Sequence, residues 1–259
     1  MPVESPVSYV YYLNNKSCCF IKQGLYEEAT ENLKIALERA REIALVSSSK
    51  ERDRSISVRR SCPPTSACDE FKYTCHSESK KLHTTSSESD SSFVFRTPVF
   101  VDETMCDEDP NLSNASCYIV FNLSLAYHLK ALENKEDKGE ANKFLSVARN
   151  LYELTFRMQN ANNSESSDLL LTAAVLNNIS TVHNALNNKN EMHACLQLLL
   201  SALVILVDTR CLPPLLPSNT TTSSTTDNTH PQHIKNILDG FVGNVMHLII
   251  RDPFAASAA

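Results

Sequence analysis

Apolar and polar positions recur along most of this chain with the 3.6-residue period of an amphipathic helix. In "YEEATENLKIALERAREIAL" Leu33, Ala36, Leu37, Ala40, Ile43 and Ala44 share one helical face, and Glu31, Lys34, Glu38 and Glu42 fall largely on the other. Gly24 stands where a helix preceding this run would end, so residues 8–46 are expected to form a helical hairpin. In "NASCYIVFNLSLAYHLKAL" the stripe is Tyr118, Phe121, Leu125, Leu129 and Leu132, and "GEANKFLSVARNLYELTFRMQ" predicts its partner helix. "DLLLTAAVLNNISTVHNAL" and "EMHACLQLLLSALVILVD" predict another pair, which gives two hairpins over residues 115–208. The closing "PQHIKNILDGFVGNVMHLII" keeps the period at Ile234, Ile237, Leu238, Phe241, Val245, Leu248 and Ile249, with Pro231 suited to the first turn. Residues 231–251 are therefore expected to cap the last apolar face of a helical stack.

Three segments break the period. Residues 47–92 are dominated by serine, threonine and charge and are expected to be a disordered insert. Residues 209–230 read as a low-complexity loop. Between the insert and the second hairpin, "FVFRTPVFV" (93–101) is apolar and rich in β-branched residues, an aggregation hazard if left exposed. Pro98 removes a backbone donor and holds Thr97 extended, which permits an edge strand or an arm but not a central strand. A stack of helices offers no sheet to join. Phe93, Phe95, Val99 and Val101, with Pro98 among them, are expected to pack against the helices as an extended docked arm. The groove of the stack is one course open to it, and there it would be a built-in occupant that a partner must displace.

The predicted hairpins repeat one another. "LNNKSCCF", "FNLSLAYH" and "LNNISTVH" each carry an asparagine (Asn15, Asn122, Asn178), then after one residue a serine (Ser17, Ser124, Ser180). Three residues further stands a ring: Phe20, Tyr127 or His183. Each partner helix shows alanine, leucine at +4 and a small residue at +7: Ala29/Leu33/Ala36, Ala141/Leu145/Ala148 and Ala194/Leu198/Ser201. Small residues at these points let antiparallel helices approach closely, and the large one fills the space between neighbouring pairs.

This pattern resembles the tetratricopeptide repeat, most closely in the first unit, where Gly24, Tyr26, Ala29, Leu33 and Ala36 stand at the family spacing. The second and third units lack the family glycine, and the asparagines lie much further apart than the ~34 residues of a standard repeat. Taken whole, "NNK…GLYEEA", "FVFRTPVFV" and "DGFVGNVMHLIIRDP" are also similar to uncharacterised tetratricopeptide-like proteins of unicellular algae, a likeness that carries no function. The resemblance implies an all-α fold, an α-α superhelix of about three irregular hairpins. Its concave groove would be lined by Asn15, Asn122, His128 and Asn178 and would hold a protein or peptide segment through apolar pockets and asparagine hydrogen bonds to its backbone. The family's carboxylate clamp is not expected. Its first-unit lysine and asparagine positions hold Asn14 and Cys18, and its third-unit lysine and arginine positions hold Ala174 and Asn178, so with the cations gone little is left to bind an anion.

Composition narrows the partners. A net charge of −6 argues against general nucleic-acid binding, which wants a basic surface. Four glycines are few for folds built on phosphate-cradling loops. The N-terminus lacks the basic start and apolar core of a signal peptide. The run Leu196–Val207 is shorter than the ~20 residues of a membrane span, so a buried helix and no membrane partner are expected. Nine irregularly spaced cysteines suit a reducing compartment, the cytoplasm, with the nucleus also open.

No P-loop, dinucleotide fingerprint, nucleophile elbow or zinc-protease motif occurs. Cys62, Cys68, Cys75, His76 and His83 lack the short Cys-x₂₋₄-Cys turn that presets a zinc site, so no metal or cofactor is expected. "VRRSC" and "SESDSS" resemble kinase targets. The expectation is a non-enzymatic interaction scaffold. Two alternatives stand beside it: an enzyme with a site built across the repeats from His128, His183, His193 and Cys195, and a self-assembling structural unit.

Overall fold

Helix forms wherever the apolar period holds. The structure, a computed structural model, describes residues 5–54, 92–101, 112–134, 136–161, 168–208 and 229–251, the side chains of 47–54, 113–114, 229–233 and 247–251 excepted. Within these residues the helices are α1 (Pro6–Gln23), α2 (Tyr26–Arg54), α3 (Leu112–Glu133), α4 (Lys138–Ala161), α5 (Leu169–Ala185), α6 (Lys189–Asp208) and α7 (Thr229–Arg251). Helices α1 and α2, α3 and α4, and α5 and α6 pair as hairpins. The hairpins stack in order, α2 on α3 and α4 on α5, and α7 closes the array against α5 and α6. This is the all-α stack of hairpins that the periodicity predicts.

The boundaries differ in three places. α2 continues to Arg54, through residues expected to belong to the insert, because "SSSKERDR" holds no proline or glycine to stop it. α3 begins at Leu112 rather than 115, and α7 at Thr229 rather than 231. The remainder of the expected insert, 55–91, and of the loop, 209–228, lies outside the described residues, as do all members of the cysteine–histidine cluster, "VRRSC", and all of "SESDSS" but Ser92.

The hairpin turns have local causes. Gly24 adopts φ 80°, in the left-handed region that favours glycine. Its N–H bonds the Ile21 carbonyl and that of Leu25 bonds the Phe20 carbonyl, which satisfies the last turn of α1. The α5–α6 turn repeats this geometry without glycine. Asn187 takes φ 59°, its N–H donates to the Asn184 carbonyl, and the Asn188 N–H donates to the His183 carbonyl. Asparagine tolerates this conformation better than other side chains except glycine, so Asn187 does in the third hairpin what Gly24 does in the first. Asp137 and Asp168 start α4 and α5: the Asp137 carboxylate accepts from the Gly139 and Glu140 N–H groups, and that of Asp168 from Leu171.

Packing within the first two hairpins follows the repeat. Tyr26, Ala29, Leu33 and Ala36 are buried in α2, and Ala141, Leu145 and Ala148 in α4. Ser17, Ser124 and Ser180 are buried as well, and each hydroxyl bonds a carbonyl of the preceding turn, so a small polar residue sits in the core with its donor satisfied. Tyr127 packs against Phe144 at 6.2 Å between ring centroids. Ala44, expected on the inner face of α2, is exposed.

The third hairpin corrects the expected register. Ala194, Leu198 and Ser201 are exposed, and Met192, Leu196 and Leu199 occupy the +0, +4 and +7 positions two residues earlier. The run "LQLLLSALVILV" is apolar all round, so two faces satisfied the period and only the neighbouring α5 chose between them. α6 is accordingly not a fully buried helix. Leu198, Leu200, Val204, Ile205 and Val207 line an exposed apolar face, and the helix is long and apolar enough, by length and composition alone, to cross a membrane.

Candidate functional site

Residues 92–101 run as an extended arm across α7, α5, α3 and α1, in that order, and four asparagines hold its backbone. An asparagine side chain carries one carbonyl and one amino group, so it can accept from the N–H and donate to the C=O of a single extended residue, as a neighbouring strand would. Each of the four does so. The Phe93 N–H donates to Asn244 Oδ1 at 2.6 Å, and Asn244 Nδ2 donates to the Phe93 carbonyl. Asn178 pairs with Phe95 at 2.9 Å in both directions. Asn122 pairs with Val99 at 2.8 and 2.7 Å, and Asn15 with Val101 at 2.9 and 2.8 Å.

The clamped residues are all odd-numbered because the backbone groups of an extended chain point to alternate edges. Pro98 falls on the other edge, where its missing N–H costs nothing. Between the α5 and α3 clamps, Thr97 shares the inner edge without an asparagine of its own.

The clamps are tied to one another across the hairpins. Asn122 Nδ2 donates to Asn14 Oδ1 at 2.9 Å, and Asn244 Nδ2 to Asn177 Oδ1 at 2.8 Å. Asn14 and Asn177 also donate to the arm, at the Val99 and Phe93 carbonyls, both at 3.1 Å. The Cys18 thiol lies beneath Val99 and donates to its carbonyl at 3.2 Å, and burial raises its pKa well above the usual thiol range. Asn14, Asn122, Asn177, Asn178 and Asn244 are buried, whereas Asn15, at the end of the row, is half-buried. A buried amide is costly unless its hydrogen bonds are made, and here the arm makes them.

Side chains of the same inner edge fill apolar pockets. The Phe93 ring meets Phe241 edge-on at 5.8 Å and lies over Gly240, where a Cβ would come within 2.6 Å of its ring atoms. Phe95 is buried between Phe121 and Phe241, at 6.2 and 6.0 Å. Val99 is buried and Val101 half-buried, and Pro98, although on the other edge, is buried as well. The intervening Arg96 and Phe100 face outward, with Lys22 Nζ 4.5 Å from the Phe100 ring centroid.

Of the residues expected to line the groove, Asn15, Asn122 and Asn178 meet the arm and His128 does not. His128 is buried one layer behind, where its Nδ1 faces the Tyr152 hydroxyl at 3.4 Å, and that hydroxyl accepts from Asn178 Nδ2 at 3.0 Å. Burial, with a smaller contribution from the charge of Arg96, depresses the His128 pKa to about 3, so the ring is neutral and supports Asn178 through Tyr152.

Sequence reasoning missed Asn14, Asn177 and Asn244 as arm contacts and read α7 only as a cap. α7 supplies a clamp and two pocket residues. The signal in the sequence was an asparagine beside the apolar stripe of Phe241 and Val245, a position that only a buried hydrogen-bond partner makes tolerable.

The residues considered for a catalytic site have other surroundings. His183 is buried with its Nδ1 3.4 Å from Asn188 Nδ2, and burial lowers its pKa. The Cys195 thiol is pushed up to about 11 by burial and by the Glu153 and Glu191 carboxylates, which is the reverse of what activates a nucleophile. His193 is half-buried. Among the described residues no three histidine, cysteine or acidic side chains are grouped to hold a metal ion. Compared with known proteins, the chain matches no family model, no curated sequence and no solved structure.

Proposed function

We propose that this protein is a non-enzymatic, tetratricopeptide-like interaction module that binds an extended peptide segment of another protein, and that its own arm holds the groove until that partner displaces it. The observation that carries this reading is the row of four asparagines, each paired with both backbone groups of one arm residue. Main-chain recognition of this kind is indifferent to which chain supplies the backbone, so a groove that takes residues 93–101 is chemically able to take a segment in trans.

Because the arm belongs to the same chain, it competes at an effective concentration on the order of millimolar. The full-length protein carrying Phe95→Asp and Val99→Asp should release the arm, since both charges would be buried in apolar pockets. A labelled peptide of residues 92–102 should then raise its fluorescence anisotropy with the variant and not with the wild-type chain. Adding Asn122→Ala and Asn178→Ala should abolish the binding. A variant with unchanged helical circular dichroism that binds no peptide would remove the basis for the proposal.

A further inference from the structure

The arm is also a template. Resting on the peptide-groove reading, we infer that the partner segment carries the arm's own pattern: aromatic, apolar (Val94 packs against the core), aromatic, any, any, proline, β-branched, any, β-branched, with its N-terminus at α7 and its C-terminus at α1. Each part of the pattern has a separate cause. The first aromatic residue takes the place of Phe93, on a floor that Gly240 leaves open for a flat ring and beside the edge of Phe241. The second fills the Phe95 pocket between Phe121 and Phe241. The proline falls on the edge that no asparagine reads, so it forfeits no hydrogen bond, and its fixed φ lowers the entropy lost on ordering an extended segment.

The β-branched positions correspond to Val99, buried beside Asn14, Asn122 and Cys18, and Val101 at the rim. Such residues favour the extended backbone that the clamps require. Direction follows from the pockets rather than from the clamps. A single asparagine pairs with an N–H and a C=O in either chain sense, but the aromatic slots lie only at the α7 end. A reversed segment would place two valines over Gly240 and Phe241 and two phenylalanines against Cys18 and Asn15.

The exposed positions, those of Arg96 and Phe100, are free to vary. The occupant is a segment of another protein, because the arm of a second copy makes only the contacts that the chain's own arm already makes and lacks its effective concentration, whereas a foreign segment brings contacts of its own.

The test uses the full-length Phe95→Asp/Val99→Asp chain and a panel of synthetic peptides read by anisotropy. The arm sequence should bind at least tenfold more tightly than peptides with aspartate at either aromatic or either β-branched position. Exchange of the Arg96 position for alanine should change affinity less than threefold. Gly240→Ala in the same chain should erase the preference for phenylalanine over leucine at the first slot and leave the Val99 slot unaffected. Equal binding of the arm sequence and the aspartate-substituted peptides would overturn the pattern while the groove reading stands. Failure of every peptide to bind would overturn the groove reading itself. A mixed dimer of wild-type and variant chains in sedimentation would overturn the assignment to a foreign partner.

Discussion

Asparagine does here what a neighbouring strand does in a sheet, and the cost of losing one depends on where it stands. Asn122→Ala would leave the buried Val99 N–H without its partner, although the carbonyl would keep Asn14 and Cys18. A buried unsatisfied donor costs about 1–3 kcal/mol, and chemical denaturation should show a loss of that size. Asn15→Ala, at the half-buried rim, lets water replace the amide and should cost less than about 1 kcal/mol. The Cys18 thiol, covered by the arm, should also react faster with a maleimide in Asn122→Ala than in the wild type. Equal costs at the two positions, or unchanged Cys18 reactivity, would contradict this account. The repeated asparagines and serines were legible in the sequence as a pattern. That Asn14, Asn177 and Asn244 join them was not, because their contacts are with residues 93–99, far away along the chain.

Among the elements, the two left-handed turns and α6 teach opposite lessons. Gly24 and Asn187 close α1 and α5 in the same way at different strain, none for glycine and a little for asparagine. Gly24→Ala should lower stability by about 1 kcal/mol, and Asn187→Gly should raise it by a few tenths to about 1 kcal/mol. Thermal melts of the two variants should move in opposite directions. The glycine turn could be read from the sequence because glycine has few other uses before a helix. The face of α6 could not, since leucine and valine surround that helix and burial there is decided by α5. The arm lies between these cases. Its alternation and Pro98 marked it as extended, and the helices it crosses were assigned only by the fold.

At the scale of the whole molecule, buried neutral histidines couple stability to pH. His128 is depressed to about 3, and His183 is lowered as well, both chiefly by burial. The unfolded chain takes up protons on these rings below pH ~6.5 while the folded protein does not, so stability holds above that value and falls as pH drops toward 3. The slope is about 1.4 kcal/mol per pH unit for each ring that stays neutral when folded. Urea unfolding between pH 7.5 and 4.5 should show the decline, and His128→Gln, which keeps an acceptor for Tyr152, should reduce its slope. An unchanged slope in that variant would mean that His128 does not stay neutral.

What the sequence by itself determined was periodic and local: helices where apolar residues recur every 3.6 positions, a glycine turn, the repeated Asn-x-Ser signature, and an extended stretch in an unexpected place. What the tertiary structure alone decided was relational: which face of α6 is buried, why His128 lies behind the groove, and that α7 is its fourth wall. The reason is physical. Periodicity records which residues leave water, but the pairing of a buried amide with a distant backbone exists only once the helices have stacked.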